Sequence, residues 1–181
     1  MTSYQKTILL ELKTDMTEVQ QKHQKAKNYE GEVVKLIRST HKRWAIAEPP
    51  DQYAQIDGIS YNALSHQLEA IYEIKCRNAS FKDLVTKYEG ELIIDTQKIE
   101  SLQSVSSILR IPSYIFTYML HDGFILKTKI TNDKGAYVCN KKDAIQQSSA
   151  GIGKGVTDKM MSKIRLDGTE ILSTTQPVGS I

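Results

Sequence analysis

The chain has 181 residues, 40% of them apolar and 25% charged, a balance that excludes global disorder and predicts one globular domain with a real core. The formal net charge of +3 is compatible with a nucleic-acid partner but does not require one. Two cysteines are too few for a disulfide framework. No apolar run approaches the roughly 18 residues of a membrane span, and the N-terminus carries no signal-peptide pattern. We therefore expect a cytoplasmic protein with reduced thiols and no membrane partner.

A helix is predicted over residues 5–27, because its apolar side chains form a stripe at helical spacing. The stripe consists of Leu9, Leu12, Met16 and Val19. Packing against the helix's own domain explains such a stripe, and so does contact with a second copy, so we keep a homodimer as an expectation. A basic end at 20–27 that faces DNA is the other alternative. Asn28 is predicted to cap a second helix over 29–39, with Glu30 in its first turn, where a carboxylate complements the helix dipole.

Three strands are predicted next, followed by two helices and a strand hairpin. The strands cover 42–47, 52–60 and 69–77, the helices 80–88 and 95–109 with an extended run at 91–94 between them, and the hairpin 113–120 and 124–131. Three strands and then a helical crossover predict an α/β fold with a mixed sheet. Further along we expect an edge strand at 135–139, a short basic helix at 156–166 and a frayed end from Ser173.

Two neighbouring predicted strands carry the residues that point to chemistry. Glu73 and Lys75 are two positions apart, so strand alternation places both on one face. Asp57 lies on the preceding strand and approaches Glu73 if the two strands pair. Two carboxylates suit one Mg²⁺ ion, and a neighbouring lysine can hold a phosphate or steady a hydroxide. A solvated surface ion pair is the alternative explanation, but the apolar neighbours of Glu73 and Lys75 on both faces favour a buried strand.

This order of elements and residues resembles the core of the PD-(D/E)XK nuclease superfamily, over about residues 28–130. That core has a helix with a carboxylate, a strand with Asp and a strand with Glu-x-Lys. The segment at 28–34 is similar to the opening helix of archaeal Holliday-junction resolvases, in which the first Glu of a Glu-x-Glu pair is functional. The matching residues are Glu30, Asp57, Glu73 and Lys75. The chain departs from the motif because Asp57 follows Ile56 rather than proline; Asp51 does follow a proline, but in a proline-broken loop.

The resemblance implies a restriction-endonuclease-like fold, in which three α/β/α layers enclose a central mixed sheet. It divides the chain into an N-terminal helical arm at 1–28, a nuclease-like core at 29–140 and a basic, partly flexible C-terminal extension at 141–181. The implied activity is metal-dependent endonucleolytic hydrolysis of DNA phosphodiester bonds in recombination or repair. Branched DNA is among the implied substrates.

The resemblance also implies a role for each site residue. Asp57, Glu73 and the main-chain carbonyl of Ile74 would hold Mg²⁺ or Mn²⁺, Glu30 would serve a second metal or its waters, and Lys75 would hold the attacking hydroxide. The candidates for contact with nucleic acid are Lys42, Arg43, Arg77, Gln97 and Lys98. Each of these is equally explained as a solvated surface side chain.

Two other functional interpretations stay open from the sequence. A non-catalytic nucleic-acid-binding or assembly protein could keep the same fold, although the presence of all four motif residues argues against a degraded site. A structural α/β protein with a chance Glu-x-Lys pattern predicts that these residues do not gather in one place.

Overall fold

The computed structural model describes residues 18–47, 55–149 and 156–172. Within these ranges the helices are α1 (Glu18–Thr40), α2 (Phe81–Lys87) and α3 (Thr96–Leu109). The strands are β1 (Trp44–Ala47), β2 (Gly58–Asn62), β3 (Leu68–Arg77), β4 (Glu91–Asp95), β5 (Ser113–Met119), β6 (Ile125–Thr131), β7 (Lys141–Ser149), β8 (Val156–Arg165) and β9 (Glu170–Leu172). None of these three helices is long and apolar enough to cross a membrane.

Six strands form a mixed sheet in the order β1-β2-β3-β5-β6-β9. β3 and β5 run parallel, because α2, β4 and α3 cross over between them, and the other neighbours in this sheet are antiparallel. A second, antiparallel sheet has the order β4-β8-β7. The predicted α/β class with a mixed sheet is confirmed.

Successive side chains of β3 point to opposite faces of the sheet and divide the core in two. Tyr72 packs on one face with Ile37 of α1. Ile71 packs on the other face with Leu102 of α3 and Ile164 of β8. All five side chains are essentially inaccessible to solvent. Helices therefore cover both faces of the central sheet, and the second sheet lies on the α3 side.

The N-terminal caps predicted for α2 and α3 from the sequence are confirmed. Ser80 caps α2 by accepting a hydrogen bond from the Asp83 N–H, while the Asp83 carboxylate accepts one from the Ser80 N–H, which completes a capping box. Asp95 caps α3 by accepting from the Gln97 N–H at 3.0 Å. The Asp95 cap fixes the start of α3, and the first turn of α3 carries Lys98 toward the central sheet.

Three sequence expectations are wrong. α1 continues without a break through Asn28, so this residue does not begin a second helix. The segment predicted as a basic helix at 156–166 forms strand β8, because it pairs along nearly its whole length with β7 and from Met161 to Arg165 with β4. Residues 135–139 form a single bridge, between Tyr137 and Thr131, rather than an edge strand. In the last two cases long-range pairing and turn geometry override local propensity.

Part of the N-terminal prediction lies outside the described residues. The helix over 5–27 is described only from Glu18 onward, and the apolar stripe proposed for dimer contact falls outside the described side chains. The same holds for the end from Ser173. Within the C-terminal extension, β7 and β8 join the second sheet and β9 pairs with β6 of the central sheet.

Candidate active site

Strands β2 and β3 separate at the point where the candidate site begins. Their paired register ends at Gly58 and Tyr72, and the Asp57 N–H still donates to the Tyr72 carbonyl at 3.1 Å. The Asp57 carboxylate then accepts a hydrogen bond from the N–H of Ile74 at 2.6 Å. The Asp57 side chain thus accepts from the Ile74 N–H, a backbone donor of β3 that β2 no longer reaches.

A close approach between Gly58 and Tyr72 fixes this separation. A Cβ atom added to Gly58 would lie 2.2 Å from the Tyr72 Oη and 2.3 Å from its Cζ, so the tyrosine ring crosses directly over the glycine. Only a residue without a side chain allows this contact, and the contact places the neighbouring Asp57 beside β3. The local sequence Asp-Gly therefore positions a candidate ligand.

Glu73 is the centre of the site and is fully buried. The Lys75 Nζ lies 2.5 Å from its Oε1, and the Lys98 Nζ lies 3.2 Å from the same atom and 3.3 Å from Oε2. Burial raises the pKa of Glu73, the Lys75 ammonium opposes that rise, and the Asp57 charge adds to it. Two carboxylates and two ammonium groups therefore meet on the α3 face of the sheet.

The backbone of β3 presents oxygen as well as nitrogen at this gap. The Ile71 N–H and the Arg77 carbonyl bond to the β5 side, so odd-numbered residues of β3 face β5. Ile74 is even-numbered, and its N–H bonds to Asp57 on the β2 side. Since the N–H and C=O of one strand residue point to the same neighbour, the Ile74 carbonyl also faces the gap beside Asp57.

The oxygens gathered here fit a hard divalent cation. They are the carboxylates of Asp57 and Glu73 and the carbonyl of Ile74, the ligand types that Mg²⁺ and Mn²⁺ prefer. The lysines that now contact Glu73 have side chains 28% exposed, at Lys75, and 32% exposed, at Lys98. Both ammonium groups can therefore turn toward solvent on flexible stems while the carboxylate binds a cation.

Glu30 lies apart from this group. It is exposed on α1, and its charge acts on the thiol of Cys76, which alternation places on the face of β3 opposite Glu73 and Lys75. Burial, reinforced by the Glu30 charge, raises the pKa of Cys76 to about 11. Among the described residues, no three His, Cys, Asp or Glu side chains gather as a metal-binding group. The structure therefore places Asp57 near Glu73, whereas Glu30 lies elsewhere.

Of the residues predicted to contact nucleic acid, Lys98 lies in the site and three lie elsewhere. Lys42 and Arg43 are exposed in the turn before β1, near the end of β2 that is remote from Asp57. The Arg77 guanidinium donates to the carbonyl of Ile93, which ties the end of β3 to β4. Burial lowers the pKa of Arg77. Gln97 is exposed beside Lys98 at the start of α3.

The sequence did not predict the contact between β8 and α3 that the structure contains. The buried Ser162 hydroxyl donates to Asp143 Oδ1 at 2.7 Å, and its oxygen lies 3.1 Å from the Thr96 hydroxyl in the first turn of α3. This first turn is the one that presents Lys98 to Glu73. The alternation of inward Ser162 and Ile164 with outward Lys163 is the signal of a strand at this position.

No family model, curated protein or solved structure gave a significant match to this chain.

Proposed function

We propose that the chain is a metal-dependent deoxyribonuclease of the PD-(D/E)XK type with a restriction-endonuclease-like fold. The observation that carries the proposal is the adjacency of Asp57 and Glu73 with a lysine, Lys75, in contact with Glu73. The order of elements supports it, since a helix packs on one face of a sheet in which Asp57 directly precedes the second strand and Glu73 and Lys75 lie on the third. The orientation of the Ile74 carbonyl toward the same gap adds a third oxygen donor.

In the proposed reaction, a divalent cation bound at this site would lower the pKa of a water molecule and polarise the scissile phosphate. Asp57 holds its carboxylate in place through the Ile74 N–H and presents it beside Glu73. The buried position of Glu73 excludes bulk water on the α3 side and strengthens its electrostatic attraction for a cation. Lys75 and Lys98 supply positive charge at the position where negative charge accumulates on the phosphate.

Lys75 has the more specific role of the two lysines. Its ammonium group is compact and lies on the same strand face as Glu73, so it can contact an attacking hydroxide and a phosphate oxygen together. Lys98 approaches from α3 and is placed to contact the phosphate. DNA is proposed as the substrate, with recombination or repair as its setting.

The test is incubation with linear, circular, branched and single-stranded DNA, with and without Mg²⁺ or Mn²⁺. We expect cleavage that needs the cation and that Asp57→Asn and Glu73→Gln abolish. Glu30→Gln is compared with Glu32→Gln, since Glu32 is on the same helix and forms an ion pair with Lys35 at 2.6 Å. An effect of Glu30→Gln alone would assign Glu30 to the reaction.

Cation binding is measured separately from cleavage. Mn²⁺ should raise the melting temperature of the wild-type protein, and Asp57→Asn should remove that rise. DNA binding without cleavage of any substrate would refute the enzymatic proposal and favour a nucleic-acid-binding or assembly role. If the protein binds neither a cation nor DNA, the interpretation that remains is a structural α/β protein.

A further inference from the structure

A buried hydroxyl group lies beside the candidate site without a hydrogen-bond partner. It belongs to Thr117 of β5, whose side chain is fully inaccessible to solvent. Within the described part of the chain, its Oγ1 atom makes no hydrogen bond. A hydroxyl that gives up its bonds to water on folding and gains none in return destabilises the folded state. Its presence therefore indicates a role other than packing.

The register of the central sheet places Thr117 directly across from Lys75. β3 and β5 run parallel, with Glu73 opposite Ile115 and Lys75 opposite Thr117. Opposed residues of neighbouring strands point to the same face of a sheet, and on this face Ile115 packs in the core that includes α3. The Thr117 hydroxyl therefore lies on the face that carries Glu73 and Lys75, next to the lysine.

Packing alone does not explain a threonine at this position. Its neighbours on the same face of β5, Ile115 and Met119, are apolar and buried in the core. Valine has nearly the shape of threonine, suits a strand as well, and would bring no unsatisfied hydroxyl into these surroundings. The contrast is Thr128 of β6, the cross-strand partner of Ile115, which is also buried but whose hydroxyl bonds to that of Thr169 at 3.0 Å.

The Lys75 ammonium group is placed to use this hydroxyl. It now lies 2.5 Å from Glu73 Oε1. Glu73 cannot hold this ammonium and a divalent cation equally well, because two positive charges on one carboxylate repel each other. The lysine side chain is a flexible four-carbon stem, long enough to span the distance of about 5 Å between neighbouring strands. Thr117 therefore offers a displaced ammonium group a hydrogen-bond acceptor within the site.

We propose that Thr117 is a positioning residue, whose hydroxyl accepts a hydrogen bond from the Lys75 ammonium group when a divalent cation is bound at Glu73. This inference rests on the proposed metal-dependent function and deepens it, since it states how Lys75 is held during the reaction. An ammonium group has three N–H donors, so one bond to Thr117 leaves two. Two donors are what an attacking hydroxide and a phosphate oxygen require, and a lysine fixed in advance presents both in the orientation needed.

The experiment compares Thr117→Val with Thr117→Ser in the full chain. The first measurement is the melting temperature in EDTA. Thr117→Val should not lower it, because this variant keeps the shape of the side chain and removes the unsatisfied hydroxyl. Thr117→Ser should lower it, because the missing methyl group leaves a cavity in the core. The order of stability is thus the reverse of the order expected for function.

The second measurement is Mn²⁺ affinity, obtained from the rise in melting temperature as Mn²⁺ is added, and the third is DNA cleavage at saturating Mn²⁺. Thr117→Val should weaken Mn²⁺ binding about tenfold, because the displaced Lys75 loses a hydrogen bond to a charged donor. Its cleavage rate should fall at least about tenfold. Thr117→Ser keeps the hydroxyl and should keep both properties. The matched control is Thr128→Val, which should lower the melting temperature by breaking the bond to Thr169 but leave Mn²⁺ affinity unchanged.

An unchanged Mn²⁺ affinity in Thr117→Val would overturn the proposal, and so would a lower melting temperature of this variant in EDTA. An equal loss of Mn²⁺ affinity in Thr117→Ser or Thr128→Val would also overturn it, since the loss would then not depend on the hydroxyl beside Lys75. If the wild-type protein binds Mn²⁺ but cleaves no DNA, the nuclease function is refuted, whereas weaker Mn²⁺ binding by Thr117→Val still supports the positioning role. A wild-type protein that binds no Mn²⁺ would refute both.

Discussion

Replacing Lys75 by methionine should destabilise the protein, because it leaves the buried Glu73 carboxylate with one cation partner instead of two. Breaking a buried ion pair costs about 3–5 kcal/mol. Lys98 remains 3.2 Å from Glu73 and the Lys75 side chain is 28% exposed, so we expect roughly half of that loss, about 2 kcal/mol at about pH 8. For a chain of 181 residues this corresponds to a fall in Tm of about 4–8 °C.

The loss should depend on pH in a defined direction. Burial raises the pKa of Glu73 in the folded state, and removing Lys75 raises it further, because Lys75 opposes the rise. At pH values between the pKa of Glu73 in the unfolded state and its higher pKa in the folded state, the folded protein binds more protons than the unfolded chain. The free energy of unfolding therefore falls as pH rises through the folded pKa. The effect of Lys75→Met is therefore largest at about pH 8 and shrinks toward about pH 5.

The assay is chemical unfolding followed by the fluorescence of Trp44, the single tryptophan, which stacks on His41 at 4.3 Å. Lys87→Met is the matched control, since Lys87 is 70% exposed in its pair with Asp83 and its replacement should leave the free energy of unfolding unchanged within error at both pH values. Adding Glu73→Gln to Lys75→Met should remove the pH dependence. An equal loss at both pH values would refute the assignment of Glu73 as a buried carboxylate that depends on Lys75.

Three other substitutions test the site and the geometry that builds it. Lys75→Arg should reduce cleavage by at least about a hundredfold while duplex affinity is kept, because a planar guanidinium cannot contact hydroxide and phosphate as a compact ammonium does; near wild-type cleavage would remove Lys75 from the mechanism. Gly58→Ala should lower the free energy of unfolding by about 2–3 kcal/mol, since its Cβ would lie 2.2 Å from the Tyr72 Oη. Gly31→Ala, with nothing within 4 Å of the added Cβ on α1, should instead raise it by about 0.5–1 kcal/mol in the same unfolding assay.

The sequence predicted best those features that depend on neighbours in the chain. The starts of α2 and α3 follow from Ser80 and Asp95, whose side chains accept from N–H groups within three residues. The placement of Glu73 and Lys75 on one face follows from alternation alone. The approach of Asp57 to Glu73 needed only the pairing of two consecutive strands.

Features that depend on distant segments could not be predicted in the same way. β8 contains Lys and Met, which suit a helix, but it forms a strand because β4, far earlier in the chain, pairs with it. Arg77 was expected at a phosphate, yet its guanidinium reaches the Ile93 carbonyl, a partner that no local pattern reveals. Asn28 has the character of a helix cap, but local preference does not break a helix whose flanking turns are continuous.

The position of β4 has a consequence for how the protein is made. β4 is synthesised within the crossover between β3 and β5, but its sheet partner begins only at Val156. Until that segment leaves the ribosome, β4 is an open strand edge that carries Leu92 and Ile94, two side chains that are buried in the finished protein. A nascent or truncated chain that ends before Val156 should therefore aggregate or be retained by chaperones, whereas a chain that extends through Arg165 closes this edge as it folds.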